Sequence, residues 1–431
     1  MNIFGFLFGC ILLFFMKTDA LAYTIVLDPG HGGENMGGMY EEYVERELTM
    51  KVARSMKAEL EKYEDVTVYL THTDIETDMS LEERVDYAVS KNADFLFCLH
   101  FNLSISHILF GSEVWISSEP SMYAKEYPFA SILMNEFVQM GLHDRGIKTR
   151  LNDKGIDYYG ILRHATDNNL PCALIEHCHM DEERDAPFIG LDAKYEKFGV
   201  VDATAVAKYL GLKSKELNKD YDGYELPKIA VPLNRVKPDY TEPDYISIET
   251  KSLDKETGNY VFTLSATEYD SALCYYSVST DGGETFSKLY PFPKEKDTIE
   301  VELTLEGGTF PQILCRVYNN YDLYGESNML ELESVPTREE EVTTQTEQKK
   351  EEEPDLSAYQ MMDSTIANKQ NSNQDEELGM VYFLGVAAVV LGSLLFTVLI
   401  CASVIERANR KRKRRRKRQK PKAYWEEDNF L

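Results

Sequence analysis

The chain is short of positive charge and of closely spaced cysteine. Its 431 residues carry 46 Lys and Arg against 73 Asp and Glu, a formal charge of −27. So acidic a molecule repels phosphate backbones, which excludes nucleic acid as a partner of the chain as a whole. Of its seven cysteines, Cys10 and Cys401 fall in terminal apolar segments and five lie between, an odd number without tight spacing. That is not the disulfide framework of a small secreted module. Cys274 and Cys315, in expected strands of one region, are the pair open to bridging, with two free buried thiols as the alternative. A single small domain is excluded by length, and at 43% apolar and 28% charged there is material for a packed core and for polar segments outside it.

Two segments lack charge altogether. Residues 3–16 form an apolar run too short to span a bilayer, closed by Ala20-Leu21-Ala22, so residues 1–22 are expected to be a secretory signal peptide cleaved before Tyr23. Residues 378–405 hold 28 positions without a charge. At ~1.5 Å per residue this exceeds a hydrocarbon core of about 30 Å and predicts a transmembrane helix. The basic run at 410–418 then stays cytoplasmic, and everything before the span is extracellular. The tail, 406–431, holds 12 Lys and Arg against 4 Asp and Glu, or +8, which leaves −35 for the rest of the chain. The tail suits anionic inner-leaflet lipid. Residues 336–377, with Glu339-Glu340-Glu341 and Glu351-Glu352-Glu353, have almost nothing apolar to bury and read as an acidic disordered stalk.

Between these ends, residues 23–212 alternate short apolar runs with helical patterns, the mark of an α/β domain. Strands are expected over 23–27, 67–70, 95–99, 113–116 and 173–175, and helices over 47–62, from a capping box at Ser80, over 130–142 and over 194–210, where Gly211 caps. A polar linker, 213–224, precedes residues 225–335, whose period-two alternation suggests a small all-β sandwich. Ser279-Thr280-Asp281-Gly282-Gly283 resembles the Asp-box hairpin of sialidase propellers, but it occurs once, which leaves a hairpin and no propeller.

Asp28-Pro29-Gly30-His31-Gly32-Gly33 puts a histidine in a glycine-rich turn after the first strand; Cys98-Leu99-His100 and Leu174-Ile175-Glu176 end two others, and Glu45 precedes a helix. Strand ends converge on the ligand crevice of an open α/β sheet. Two His and one Glu suffice for a catalytic Zn²⁺ with an open position, and a further carboxylate serves as general base. Taken singly, each has an ordinary structural explanation, because spacings of 14 and 55 carry no metal meaning.

Those motifs, with Glu45-Arg46-Glu47-Leu48, Ser80-Leu81-Glu82-Glu83-Arg84, the segment from Ala93 to Asn102 and Pro171-Cys172-Ala173-Leu174-Ile175-Glu176, resemble in order the zinc N-acetylmuramoyl-L-alanine amidases of bacterial cell walls. The resemblance covers residues 23–212. It implies a mixed sheet flanked by helices, zinc on His31, Glu45 and His100, Glu176 as the catalytic carboxylate, Asn102 in an orienting role, and peptidoglycan as substrate. The family usually has Ser, Ile and Ala where this chain has Cys98, Leu99 and Phe101, and Gly-Phe where it has His177-Cys178-His179, so the pocket wall is altered. His177 and His179 are expected opposite Glu176, in packing and support, with Cys178 on its face. The alternative is an inactive, membrane-tethered module that binds wall or a protein partner through the β domain. No repeated wall-binding module is present in the sequence.

Overall fold

The computed structural model describes residues 22–333. The expected signal peptide up to residue 21, the stalk, the membrane span and the basic tail lie outside the described residues. Among the described residues, no helix is long and apolar enough to cross a membrane.

Strands β1 (Tyr23–Pro29), β2 (Val66–Leu70), β3 (Phe95–Asn102), β4 (Ser112–Ile116), β5 (Asp144–Lys148) and β6 (Cys172–His179) form one sheet in the order β2-β1-β3-β6-β4-β5. The first four in that order are parallel; β4 runs antiparallel to β6, and β5 parallel to β4. Along β3, Phe95, Phe97, Leu99 and Phe101 pack under α1 (Glu45–Leu60), α3 (Pro120–Met140) and α5 (Asp192–Leu210). Leu96 and Cys98 face the other way, with Trp115, Leu162 and Leu174, under α2 (Leu81–Ser90) and α4 (Gly160–Asp167). Burial on both faces is why these strands read as continuous apolar runs. Alternation then assigns His100, Glu113 and Glu176 to the α2/α4 face, at the end of that layer.

Several boundaries differ from expectation. Helix α1 begins at Glu45, so this carboxylate sits in the helix and not before it. Helix α3, expected over 130–142, starts at Pro120 and runs through Pro128. Glu119 caps it by accepting from Ser121 and Met122, and the buried Met122, Phe129, Leu133 and Phe137 hold the helix across the proline, which lacks an N–H to donate. Strand β5 and helix α4 were not expected at all. The capping box at Ser80 and Glu83 is formed, and Gly211 ends α5 in the left-handed conformation. The 213–224 linker folds back as a two-stranded ribbon whose Ser214 donates to the Lys62 carbonyl.

The β domain contains two antiparallel sheets. One joins β7 (Tyr245–Leu253), β8 (Asn259–Thr267) and β11 (Thr298–Thr304). The other joins β9 (Leu273–Ser279), β10 (Tyr290–Pro291), β12 (Gln312–Asn319), β13 (Tyr324–Glu326) and β14 (Leu330–Glu331). Tyr260, Phe262 and Leu264 meet Ile313, Cys315 and Val317 in the core. In the expected hairpin, Asp281 accepts from the Thr285 amide and hydroxyl. Cys274 and Cys315 are free thiols. Cys315 lies opposite Val278 in the sandwich core, whereas Cys274 packs with Phe110 at the boundary with the first domain, which rules the bridge out.

Candidate metal centre

Strand β1 ends in a turn where Gly30 passes so close to β3 that a Cβ there would lie 2.5 Å from His100 Cε1. Only glycine permits that approach. The turn delivers His31 in a left-handed conformation (φ 68°), and Arg84 of α2 fixes it by donating to Asp28, to the Pro29 carbonyl and to the His31 carbonyl. Helix α1 supplies Glu45 from its first residue, and β3 supplies His100. All three side chains are buried, and one ligand atom from each lies within 4.8 Å of the others.

The hydrogen bonds around the trio decide where its lone pairs point. Asn35 Oδ1 accepts from the Gly37 amide and faces His31 Nδ1 at 3.0 Å, so Nδ1 carries the proton. His31 Nε2 is left as an acceptor 3.0 Å from Glu45 Oε2, and it has no hydrogen-bond partner. The Cys98 thiol donates to Asp28 Oδ2 at 3.0 Å and faces His100 Nε2 at 3.3 Å, so the sulfur takes the Nε2 proton. His100 Nδ1 then turns a lone pair toward Glu45 Oε1, also at 3.0 Å. The three side chains thus offer two imidazole nitrogens and a carboxylate to one point, a donor set that suits zinc.

Glu176 is the register partner of His100 across β3 and β6, and of Glu113 across β6 and β4. It is buried, and its Oε2 has no hydrogen-bond partner. Burial first, and the Glu45 and Glu113 carboxylates after it, push its pKa well above the usual value. A carboxylate with a free oxygen and a raised proton affinity is suited to take a proton from water and give it back. The four residues singled out in the sequence therefore converge on one site.

Asn102 donates to Glu113 Oε1 at 3.0 Å, in keeping with an orienting role. His177 faces away from the site, between the His100 carbonyl and Asp202. The alternation expected beyond it breaks. Between the pairs His100–Glu176 and Asn102–His179, β6 carries one residue more than β3, and this bulge moves Cys178 into the core with Ile175, opposite Glu176. Sequence reasoning also missed the group behind Glu176. Glu113 accepts from Arg145 Nε at 2.8 Å and from Lys148 Nζ at 2.5 Å, and all three side chains are buried. The one available signal was a Glu inside an apolar strand, Ser112-Glu113-Val114-Trp115-Ile116.

Residues 25–208 match the family described as N-acetylmuramoyl-L-alanine amidase. The N-acetylmuramoyl-L-alanine amidase LytC of Bacillus subtilis is 25% identical over 171 residues, 40% of this chain and 32% of that protein. CwlM of Bacillus licheniformis, of the same description, is 27% identical over 190 residues, 44% of this chain and 69% of that protein. A probable cell wall amidase, LytH of Staphylococcus aureus, is 45% identical over 71 residues, 16% of this chain and 24% of that protein. The chain thus spans about a third of the length of LytC.

Proposed function

The chain belongs, through residues 25–208, to the N-acetylmuramoyl-L-alanine amidase family, and on that premise we propose that it hydrolyses the amide between N-acetylmuramic acid and L-alanine in peptidoglycan. The observation that carries this is the convergence of two imidazole lone pairs on the Glu45 carboxylate, with a proton-accepting Glu176 beside them. His31, Glu45 and His100 would hold a zinc ion, which when bound supplies Lewis acidity to water and to developing negative charge. Glu176 takes the proton of the attacking water and returns it to the departing alanine nitrogen, which leaves as an amine. Its burial keeps the proton on the reaction path, and Arg84, clamped on Asp28 and the His31 carbonyl, keeps the first imidazole in place. The intact set of four residues argues against an inactive binding module.

A zinc assay joined to digestion of defined muropeptides tests the assignment. Glu176→Gln should retain stoichiometric zinc and release no stem peptide; turnover at the wild-type rate would sink it. From the sequence we also place the protein in the cell membrane, with a cleaved signal peptide, the catalytic domain outside and the basic tail on inner-leaflet lipid. A span-deleted form should leave the membrane fraction and keep muropeptide turnover.

A further inference from the structure

Strand β5 is an edge strand, yet Arg145 and Lys148 on it are buried because the β domain covers them. The Arg145 guanidinium divides its donors among three partners: Nε to Glu113 Oε2 at 2.8 Å, Nη1 to the Tyr275 hydroxyl at 2.8 Å, and Nη2 to Asp322 at 2.9 Å. Two of the three partners belong to the β domain. The Tyr275 hydroxyl in turn donates to the carbonyl of Phe110, next to the strand that bears Glu113. Lys148 reaches the same Glu113 oxygen and lies over the ring of Tyr321, again from the β domain. The other Glu113 oxygen accepts from Asn102, two residues past His100. Glu113 and Glu176 sit opposite each other on adjacent strands, where two carboxylates repel unless cations hold one of them.

A buried ionic group of this kind adds little stability over apolar packing of the same volume, and removing one member leaves a stranded charge. An interface that served only to attach the β domain has no need to place two cations against the carboxylate beside Glu176. We propose that the β domain is part of the catalytic apparatus: Tyr275 and Asp322 are positioning residues that hold Arg145, and through Glu113 fix the place of Glu176. This deepens the amidase reading and rests on it. The domain therefore acts on turnover through the sheet, and not through substrate binding at a distance.

The full chain carrying Tyr275→Phe or Asp322→Asn, with Lys288→Ala as the control, provides the test. Lys288 pairs with Glu183 at the same domain boundary, but both are exposed and neither touches the buried group. The two interior variants should lose about ten- to a hundredfold in kcat, the range expected when a catalytic group shifts by about 1 Å. KM and zinc content should hold, and Lys288→Ala should match wild type. Interior variants within about twofold of the wild-type kcat would overturn the proposal, as would an equal loss in Lys288→Ala. If the wild-type chain releases no stem peptide, the amidase reading fails by itself, and amide exchange then decides the positioning role without substrate. Faster exchange over 112–116 and 172–179 in Asp322→Asn, with 23–29 unchanged, supports it; unchanged exchange over all three overturns it.

Discussion

Cys98 stands where the family resemblance leads to an expectation of serine, and its position shows what either residue would do there. The thiol is buried between Asp28 and His100 and makes one contact with each. Burial and the Asp28 carboxylate push its pKa well up, so it stays a thiol, donating to Asp28 and accepting from His100 Nε2. A serine hydroxyl does the same, whereas alanine leaves the His100 tautomer undetermined. Groups that orient a ligand histidine in this way are worth about ten- to a hundredfold in metal affinity. Cys98→Ala is therefore expected to weaken zinc binding by about that factor, and Cys98→Ser to keep it, measured by competition with a chromogenic chelator. Equal affinities in all three proteins would remove Cys98 from the support of His100. At this scale the sequence was most legible, since three of the four site residues, His31, His100 and Glu176, follow apolar strand runs. The lone pairs were not legible, because Asn35 and Cys98 acquire their roles only when the turn and strand meet.

Helix α3 carries a second consequence of burial. Glu126 lies within it, with one carboxyl oxygen accepting from the Cys172 amide and the other from the Ser117 amide. Burial pushes its pKa up to about 8 against an ordinary value of 4.5, although the two amides oppose the rise. Between those values the folded chain holds a proton that the unfolded chain has lost, so stability falls as pH rises from 4.5 toward about 8. Glu126→Gln removes that proton linkage, but its NH₂ faces a backbone N–H, which costs about 1–3 kcal/mol. The gap in denaturant midpoint between wild type and variant should therefore narrow steadily with rising pH; a constant gap would show that Glu126 does not titrate in that range. The same helix shows why elements were less legible than residues. Pro128 hides its first two turns from a pattern reading, although Glu119 caps them. Strand β5, Asp144-Arg145-Gly146-Ile147-Lys148, has one large apolar residue and is polar by composition. Its charges are neutralised by Glu113 and Asp322, far away in sequence, which no local pattern reveals.

The two domains meet over a surface that holds ion pairs at its rim, Lys288 with Glu183 and Lys294 with Asp144, and the Arg145 cluster at its centre. Exposed pairs such as the first are worth about 0–1 kcal/mol, whereas a substitution that removes one member of the buried cluster leaves a buried charge unpaired at about 3–5 kcal/mol. A change at the centre is therefore felt more strongly than one at the rim. How close the centre can come is set by Gly146, the extra residue of a bulge in β5, with φ of 99°. A Cβ there would lie 2.5 Å from Asn320 Nδ2 of the β domain. Gly146→Ala meets both a backbone conformation that costs on the order of 1–3 kcal/mol for a side-chain-bearing residue and a neighbour that must move. Asn320 is buried and its amide has little room to withdraw, so the domains separate slightly and Arg145 loses its grip on Asp322 and Tyr275. Calorimetry of the wild-type chain should show one unfolding transition for the two domains together, because neither buries Arg145 without the other. Gly146→Ala should resolve it into two. A single transition at the wild-type temperature in the variant would mean that close backbone approach at Gly146 contributes little to the coupling, and that side chains alone hold the β domain against the sheet edge.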